Sequence, residues 1–170
     1  MITLKIKDLE KKLNRKISKN INLLAVDTAS KTGWAKITTT DKDIKIDYGF
    51  IDIQSKDKEF KYNQMIDTFP ELIKGCDKVI IEDVFLRFNV MVHSMLSRIG
   101  MIVYVIAHQL KVKDKYFIWA SSSRKLIGLK NAKKDIVQKE FKEKFNIKIE
   151  DEDIIDSLIL GFGGLIEKVD

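Results

Sequence analysis

The chain has 170 residues, a formal net charge of +6, and hydrophobic and charged fractions of 45% and 33%. This length suits one soluble domain. The single cysteine, Cys76, excludes an internal disulfide and a cysteine-based metal cluster. No apolar run approaches the ~20 residues that a membrane span requires. The excess of basic residues favours a polyanionic partner, most often a nucleic acid, over the alternative of a lysine-rich surface that only confers solubility.

The first twenty residues are rich in lysine and arginine. Leu9, Leu13 and Ile17 recur every four residues, which predicts a helix with a narrow apolar stripe and basic residues around it. Such a helix suits docking on the domain as well as contact with nucleic acid. We therefore divide the chain into a basic N-terminal arm at residues 1–20 and one domain at residues 21–170.

Residues 21–28 read INLLAVDT and predict the first strand of the domain. Four successive apolar positions make both faces of this strand apolar, which is typical of a central strand covered by helices on both sides. Asp27 stands at its end. We interpret Asp27 as a functional carboxylate, and a turn-forming aspartate is the alternative.

The rest of the chain alternates between strand and helix patterns. Strands are expected at residues 33–40, 44–53, 78–84 and 116–120, and helices at residues 58–74, 89–110, 124–129, 130–145 and 154–166. The strand at 78–84 again carries an acid at its end, Glu82. The helix at 89–110 has a broad apolar stripe, which favours burial against the sheet and a partner chain, while packing on the sheet alone is the alternative.

Five acids fall within residues 150–156, at the start of the most apolar helix. Acids favour a helix N-terminus because of the macrodipole, which explains the first three of them. Asp153 and Asp156 are three residues apart and therefore project from one side of the helix. Asp156 is also in line with Ile159 on an apolar surface, where an unpaired carboxylate is costly, so a divalent metal is the expected compensation.

Adjacent strands can bring Asp27 and Glu82 together, and the last helix can cover them with Asp153 and Asp156. Four oxygen-bearing side chains around one point suit Mg²⁺ or Mn²⁺. Two such ions can stabilise the attacking and leaving oxygens of a phosphodiester in an in-line displacement.

Three segments in this order carry a family resemblance: LAVDTAS at 24–30 followed by GWA at 33–35, IEDVF at 81–85, and DIIDSL at 153–158. Together they resemble the RuvC family of Holliday junction resolvases, within the RNase H-like superfamily. The resemblance covers about residues 21–168. It implies an α/β, RNase H-like fold whose mixed five-stranded sheet has helices on both faces, a homodimer, and Mg²⁺-dependent nicking of four-way junctions without a small-molecule cofactor.

The sequence departs from the family pattern in two places. Bacterial members have little before the first strand, where this chain has its basic arm. A family lysine falls on Ser123, beside basic residues, and a second matches Lys134, or Lys133 if the alignment slips by one. The lysine-rich character is similar to bacteriophage resolvases. That similarity extends the expected substrates to forks, Y-junctions and flaps, and places the protein in the cytoplasm of a bacterium or a phage-infected host.

The resemblance also implies DNA contacts. Phe85 matches a family phenylalanine expected to stack near the junction crossover, and Arg87 beside it can pair with phosphate; a core aromatic is the alternative for Phe85. The expected basic track along the DNA arms comprises Lys31, Arg124, Lys125, Lys130, Lys133 and Lys134. A solvated helix face is the alternative for such lysines.

Three other functions compete with that of a Mg²⁺-dependent endodeoxyribonuclease. The first is a branched-DNA binding protein with a degenerate site, which the presence of all four carboxylates disfavours. The second is an actin-like or sugar-kinase-like ATPase, whose duplicated domain requires a much longer chain. The third is another RNase H-like nuclease, such as a hybrid-specific ribonuclease or a transposase core, and the closing Asp-x-x-Asp helix favours the resolvase over it.

Overall fold

The structure is a computed structural model that describes residues 1–29, 31–52, 55–84 and 90–166. The strands are β1 (Ile2–Lys5), β2 (Asn22–Asp27), β3 (Lys31–Thr39), β4 (Asp43–Asp52), β5 (Lys78–Glu82) and β6 (Asp114–Ile118). The helices are α1 (Ile6–Leu13), α2 (Lys58–Ile73), α3 (Val90–Gln109), α4 (Ala120–Leu126), α5 (Lys134–Phe145) and α6 (Glu152–Leu165).

The strands form a mixed sheet in the order β1-β4-β3-β2-β5-β6. Strand β2 pairs antiparallel with β3 and parallel with β5. Its alternate residues enter two separate cores: Leu23 and Ala25 pack with α6 on one face, and Leu24 and Val26 pack with α2 and α3 on the other. This arrangement confirms the prediction of a central strand covered on both sides and of helices on both faces of the sheet.

The sheet has six strands where the sequence predicted five. The additional strand is β1, which pairs antiparallel with β4 at the edge of the sheet. Four residues are too short a segment for a period-two pattern to stand out, and the apolar spacing of residues 9–17 suggested only a helix. The N-terminal segment is docked on the domain, because Ile6, Leu9, Leu13 and Ile17 are all buried in the core.

Two helix starts differ by four residues from those predicted. Helix α4 begins at Ala120 rather than at 124, because the chain turns into the helix directly after β6, with Trp119 as the N-cap residue. Helix α5 begins at Lys134 rather than at 130, because Lys133 has an extended backbone conformation. Lys130 and Lys133 therefore lie on the segment that connects α4 to α5.

Helix α6 crosses the middle of the sheet at very short range. A Cβ atom at Gly33 of β3 would lie 2.1 Å from the backbone oxygen of Asp153, and one at Gly164 would lie 1.7 Å from a methyl group of Ile80. Only glycine permits these approaches. They place the acidic start of α6 beside the start of β3, and Asp151 caps the helix by accepting hydrogen bonds from the backbone N–H groups of Asp153 and Ile154.

Helix α3 is more apolar than the sequence analysis expected. Among the described residues it is the one helix long and apolar enough, by length and composition, to cross a membrane, with 20 residues and a mean hydropathy of 1.7 over an 18-residue window. This corrects the expectation that no apolar run approaches that length. The helix packs on the sheet through Ile99, Val103 and Ile106, and its outer side is also apolar.

Candidate active site

The first two predicted carboxylates lie side by side at one edge of the sheet. The parallel pairing of Val26 with Ile81 brings Asp27, the last residue of β2, next to Glu82, the last residue of β5. Asp27 is only 5% exposed, whereas Glu82 is half-buried. The hydroxyl of Thr28 donates a hydrogen bond to the backbone oxygen of Glu82 at 3.2 Å, which ties the two strand ends together.

Asp27 sits in an environment that disfavours its charge. Burial raises the pKa of Asp27 well above its ordinary value, and its hydrogen bond with Glu82 and the negative charges of Glu82 and Asp156 raise it further. The carboxylates of Asp27, Glu82 and Asp156 are therefore close enough for their negative charges to repel one another. Such a group retains a proton more readily than an exposed aspartate, unless a cation enters to balance the charge.

Helix α6 presents the other two carboxylates from its first turns. Asp156 accepts a hydrogen bond from the side-chain amide of Gln138 at 3.0 Å, and its Oδ2 lies 2.8 Å from Nζ of Lys134. Asp153, one turn earlier, lies 3.9 Å from Nζ of Lys31, and burial raises its pKa. The prediction that Asp156 needs a balancing cation is thus met in part by a lysine.

Lys134 is the cation that pairs with Asp156. Burial works against its charged form, but the hydrogen bond with Asp156 and the charges of Asp156, Asp27 and Asp153 outweigh this effect, so the pKa of Lys134 is raised. Within the described residues, no three His, Cys, Asp or Glu side chains are already arranged as a metal cage. The donor set nevertheless fits a hard divalent cation, because it consists of carboxylates whose negative charges act on one another and already draw the ammonium of Lys134.

A cleft of about 710 Å³ opens above these carboxylates. Asp27, Glu82 and Asp156 line its base, and Asp153 is not among its lining residues. The walls include Trp119, Arg124, Asn131, Lys133 and Lys134. The cleft is therefore acidic at its base and basic along one wall, an arrangement that suits a phosphodiester chain passing over bound cations.

Two residues of the site were missed by the sequence analysis. Trp119 is 44% exposed on the cleft wall. The sequence feature that could have indicated it is its position directly after β6, at the sheet edge where β2 and β5 also end. Gln138 is buried and its amide also donates to the backbone oxygen of Glu152 at 3.1 Å. No sequence signal marked Gln138, because its partners come from a different helix.

The predicted basic track divides into separate environments. Lys31 is ion-paired with Asp151 and Asp153, and its Nζ lies 3.9 Å above the ring of Phe50. The side chains of Lys125 and Lys130 are exposed, whereas Arg124 is half-buried and lines the cleft. Phe85 and Arg87 lie outside the described residues, so their roles stay predictions.

Comparison with known proteins decides the family. The sequence matches the family model of the crossover junction endodeoxyribonuclease RuvC over residues 23–162, which is most of the chain. This chain belongs to the RuvC family. Membership confirms the resemblance drawn from the three sequence segments and the prediction of a Holliday junction endonuclease, and nucleases of the RuvC family use divalent metal ions. No curated protein matches the sequence closely enough to count as a relative.

Solved RuvC structures share the fold. Thermus thermophilus RuvC has a TM-score of 0.69 at 12% identity, and the same protein in complex with Holliday junction substrate has 0.67 at 10%; each match covers 84% of this chain and 92% of the other. The yeast mitochondrial Holliday junction resolvase Ydc2 has a TM-score of 0.56 at 13% identity, covering 92% of this chain and 82% of its own. These likenesses confirm the predicted RNase H-like fold.

Proposed function

We propose that this RuvC-family chain nicks four-way DNA junctions at the cleft, with Asp27, Glu82, Asp153 and Asp156 holding two Mg²⁺ ions for which Mn²⁺ can substitute. The observation that carries the proposal is the meeting of Asp27, Glu82 and Asp156 at the base of a cleft with a basic wall. When bound, the ions supply Lewis acidity to both oxygens of an in-line phosphodiester displacement.

The chain's own residues prepare this site. Burial of Asp27 keeps water away from its carboxylate, and the amide of Gln138 fixes the orientation of Asp156. Lys134 balances the carboxylates as long as no other cation does so. On the lining of the cleft, this ammonium is also placed to contact a phosphate of a bound strand.

The cleft wall also supplies groups that hold DNA. The exposed indole of Trp119 offers a stacking surface, which is typically worth about 1–3 kcal/mol per unpaired base. Arg124 and Lys133 provide positive charge for the backbone. We propose branched DNA as the substrate class, four-way junctions first and forks and flaps after them, with Phe85 and Arg87 as further contacts near the crossover.

We also propose that the protein forms a homodimer. The outer side of α3 exposes apolar residues that the sheet does not cover, among them Met101 at 49% and Val105 at 44%. Pairing of this surface with a second copy would set two identical clefts on opposite strands of a two-fold symmetric junction. Paired nicks on opposite strands would then resolve the junction.

Nicking of labelled substrates tests the proposal. A four-way junction, a fork, an RNA–DNA hybrid and a linear duplex are incubated with the protein in Mg²⁺ and in excess chelator. We expect nicks in the junction, fewer in the fork and none in the duplex, with chelator abolishing nicking but not junction binding. Preferred cleavage of the hybrid would support the ribonuclease alternative, and tight junction binding without nicks in Mg²⁺ or Mn²⁺ would support the degenerate site.

A further inference from the structure

The first twenty residues carry a dense positive charge. They contain seven of the 31 Lys and Arg residues but only two of the 25 Asp and Glu residues, so they carry a net +5 of the total +6. The remainder of the chain, which holds the cleft, is close to neutral at +1. The N-terminal segment therefore adds an electrostatic attraction to a polyanion of its own, beside that of residues 124–148, which contain nine Lys and Arg against three Asp and Glu.

This segment is held rigidly on the domain. Strand β1 is paired with β4, and the apolar stripe of α1 is buried through Ile6, Leu9 and Leu13. The opposite side of the segment exposes Lys7, Lys11, Lys12, Arg15 and Lys19, and none of these forms an ion pair within the part of the chain that the structure describes. We call these five residues the α1 basic surface.

The α1 basic surface belongs to the end of the sheet that lies away from the cleft. The backbone N–H of Ile6 donates to Lys42 in the turn between β3 and β4, and that of Ser18 donates to Leu165 at the last residue of α6. The carboxylates lie at the other end of α6 and of β2. Since β2 spans six residues, the two ends of the sheet are about 20 Å apart, or roughly six steps along a nucleic-acid strand.

We propose that the α1 basic surface is a second DNA-binding site, which contacts the phosphates of a duplex arm several base pairs from the branch point. The inference rests on the proposed function, because it assumes that branched DNA occupies the cleft. Unpaired cations on a rigid surface suit a regular row of phosphates, and such contacts carry no sequence preference. A membrane surface does not fit, because the apolar side of α1 is already buried in the core and cannot enter a lipid layer.

Binding to junctions of different arm length tests this site without catalysis. The test variant replaces Lys7, Lys11 and Lys12 by Gln. The control variant replaces three other exposed lysines by Gln, chosen near the same end of the sheet but beside the α2–α3 core: Lys74, Lys111 and Lys113. Both variants lose three charges, so only position distinguishes them, and thermal melting confirms that both fold.

Affinity is measured without metal at several salt concentrations, with arms of about 20 bp and about 5 bp. On long arms we expect the test variant to bind about tenfold more weakly than the control and to have a salt slope lower by about 2–3. On short arms the two should bind equally, and at saturating protein with Mg²⁺ both should nick at the wild-type rate.

Equal affinity of the two variants on long arms would overturn the second site, and so would an equal loss on short and long arms. A wild-type protein that binds with this arm-length dependence but never nicks would overturn the proposed nuclease reaction and leave the second site standing.

Discussion

Asp156 is the residue whose replacement tests the active site most directly, because it touches both Gln138 and Lys134 at the base of the cleft. Asp156→Asn keeps the shape and removes the charge needed to hold metal. We expect it to abolish nicking, by at least about 100-fold, and to leave junction binding intact or slightly tighter, since one negative charge near the DNA is gone. Glu150→Gln, two residues before α6, is the control, because Glu150 pairs with Lys142 and is not a lining residue of the cleft. Wild-type nicking by Asp156→Asn would remove Asp156 from the metal site.

The raised pKa of Asp27 predicts that the free energy of unfolding depends on pH. Its pKa in the folded, metal-free protein is raised by burial first and by Glu82 and Asp156 next, so it lies above the value of about 4 in the unfolded chain. Proton binding then favours the folded state. The stabilisation is complete below the unfolded-state pKa and is lost as the pH rises through the folded-state pKa.

Asp27→Asn should therefore stabilise the metal-free protein at pH 8, where folding of the wild type must either bury this charge or bind a proton, and the gain should shrink toward pH 4. A gain of about 1 kcal/mol corresponds to roughly 2–4 °C in melting temperature for a chain of this size. Thermal melts in chelator at several pH values measure it, with Asp67→Asn on the exposed side of α2 as the control. A lower melting temperature for Asp27→Asn than for wild type at pH 8 would contradict this account.

The start of α5 gives different environments to two lysines that look equivalent in the sequence. Lys133 is exposed on the cleft wall, whereas Lys134 is paired with Asp156 and Glu152. Lys133→Ala should weaken binding to all DNA and lower the salt slope by about 1, with the nicking rate at saturation unchanged. Lys134→Ala should also slow nicking at saturation. Indistinguishable effects of the two substitutions on nicking at saturation would show that the pairing with Asp156 has no consequence for the reaction.

How far the sequence predicts each element depends on how local its signal is. The apolar run before Asp27 and the apolar pattern of the last helix are local signals, and the structure has both elements, although only Asp156 of the Asp-x-x-Asp pair lines the cleft. Strand β1 was missed because its partner β4 lies about forty residues away. The pairing of Lys134 with Asp156 and the support from Gln138 join two helices, so no spacing within either helix reveals them.

The number of subunits in the molecule depends on whether the outer side of α3 packs against a second copy. One side of α3 packs on the sheet through Ile99 and Val103, and its opposite side exposes Met101 and Val105. Apolar side chains in a row on a helix surface are typical of a helix that pairs with another chain. We expect light scattering to give the mass of a dimer at micromolar concentration.

Substitution of that surface provides the test. Met101→Glu with Val105→Glu places two charges where the second copy would pack, so it should give a monomer that still folds, because both residues are exposed. Such a monomer should nick one strand of a junction but lose paired nicks on opposite strands. Ile136→Glu on α5, where the side chain is 49% exposed, is the matched control and should leave the mass and the paired nicks unchanged. A wild-type monomer at micromolar concentration, with and without junction DNA, would show that the apolar side of α3 serves another purpose, since one subunit carries one cleft and cannot cut opposite strands together.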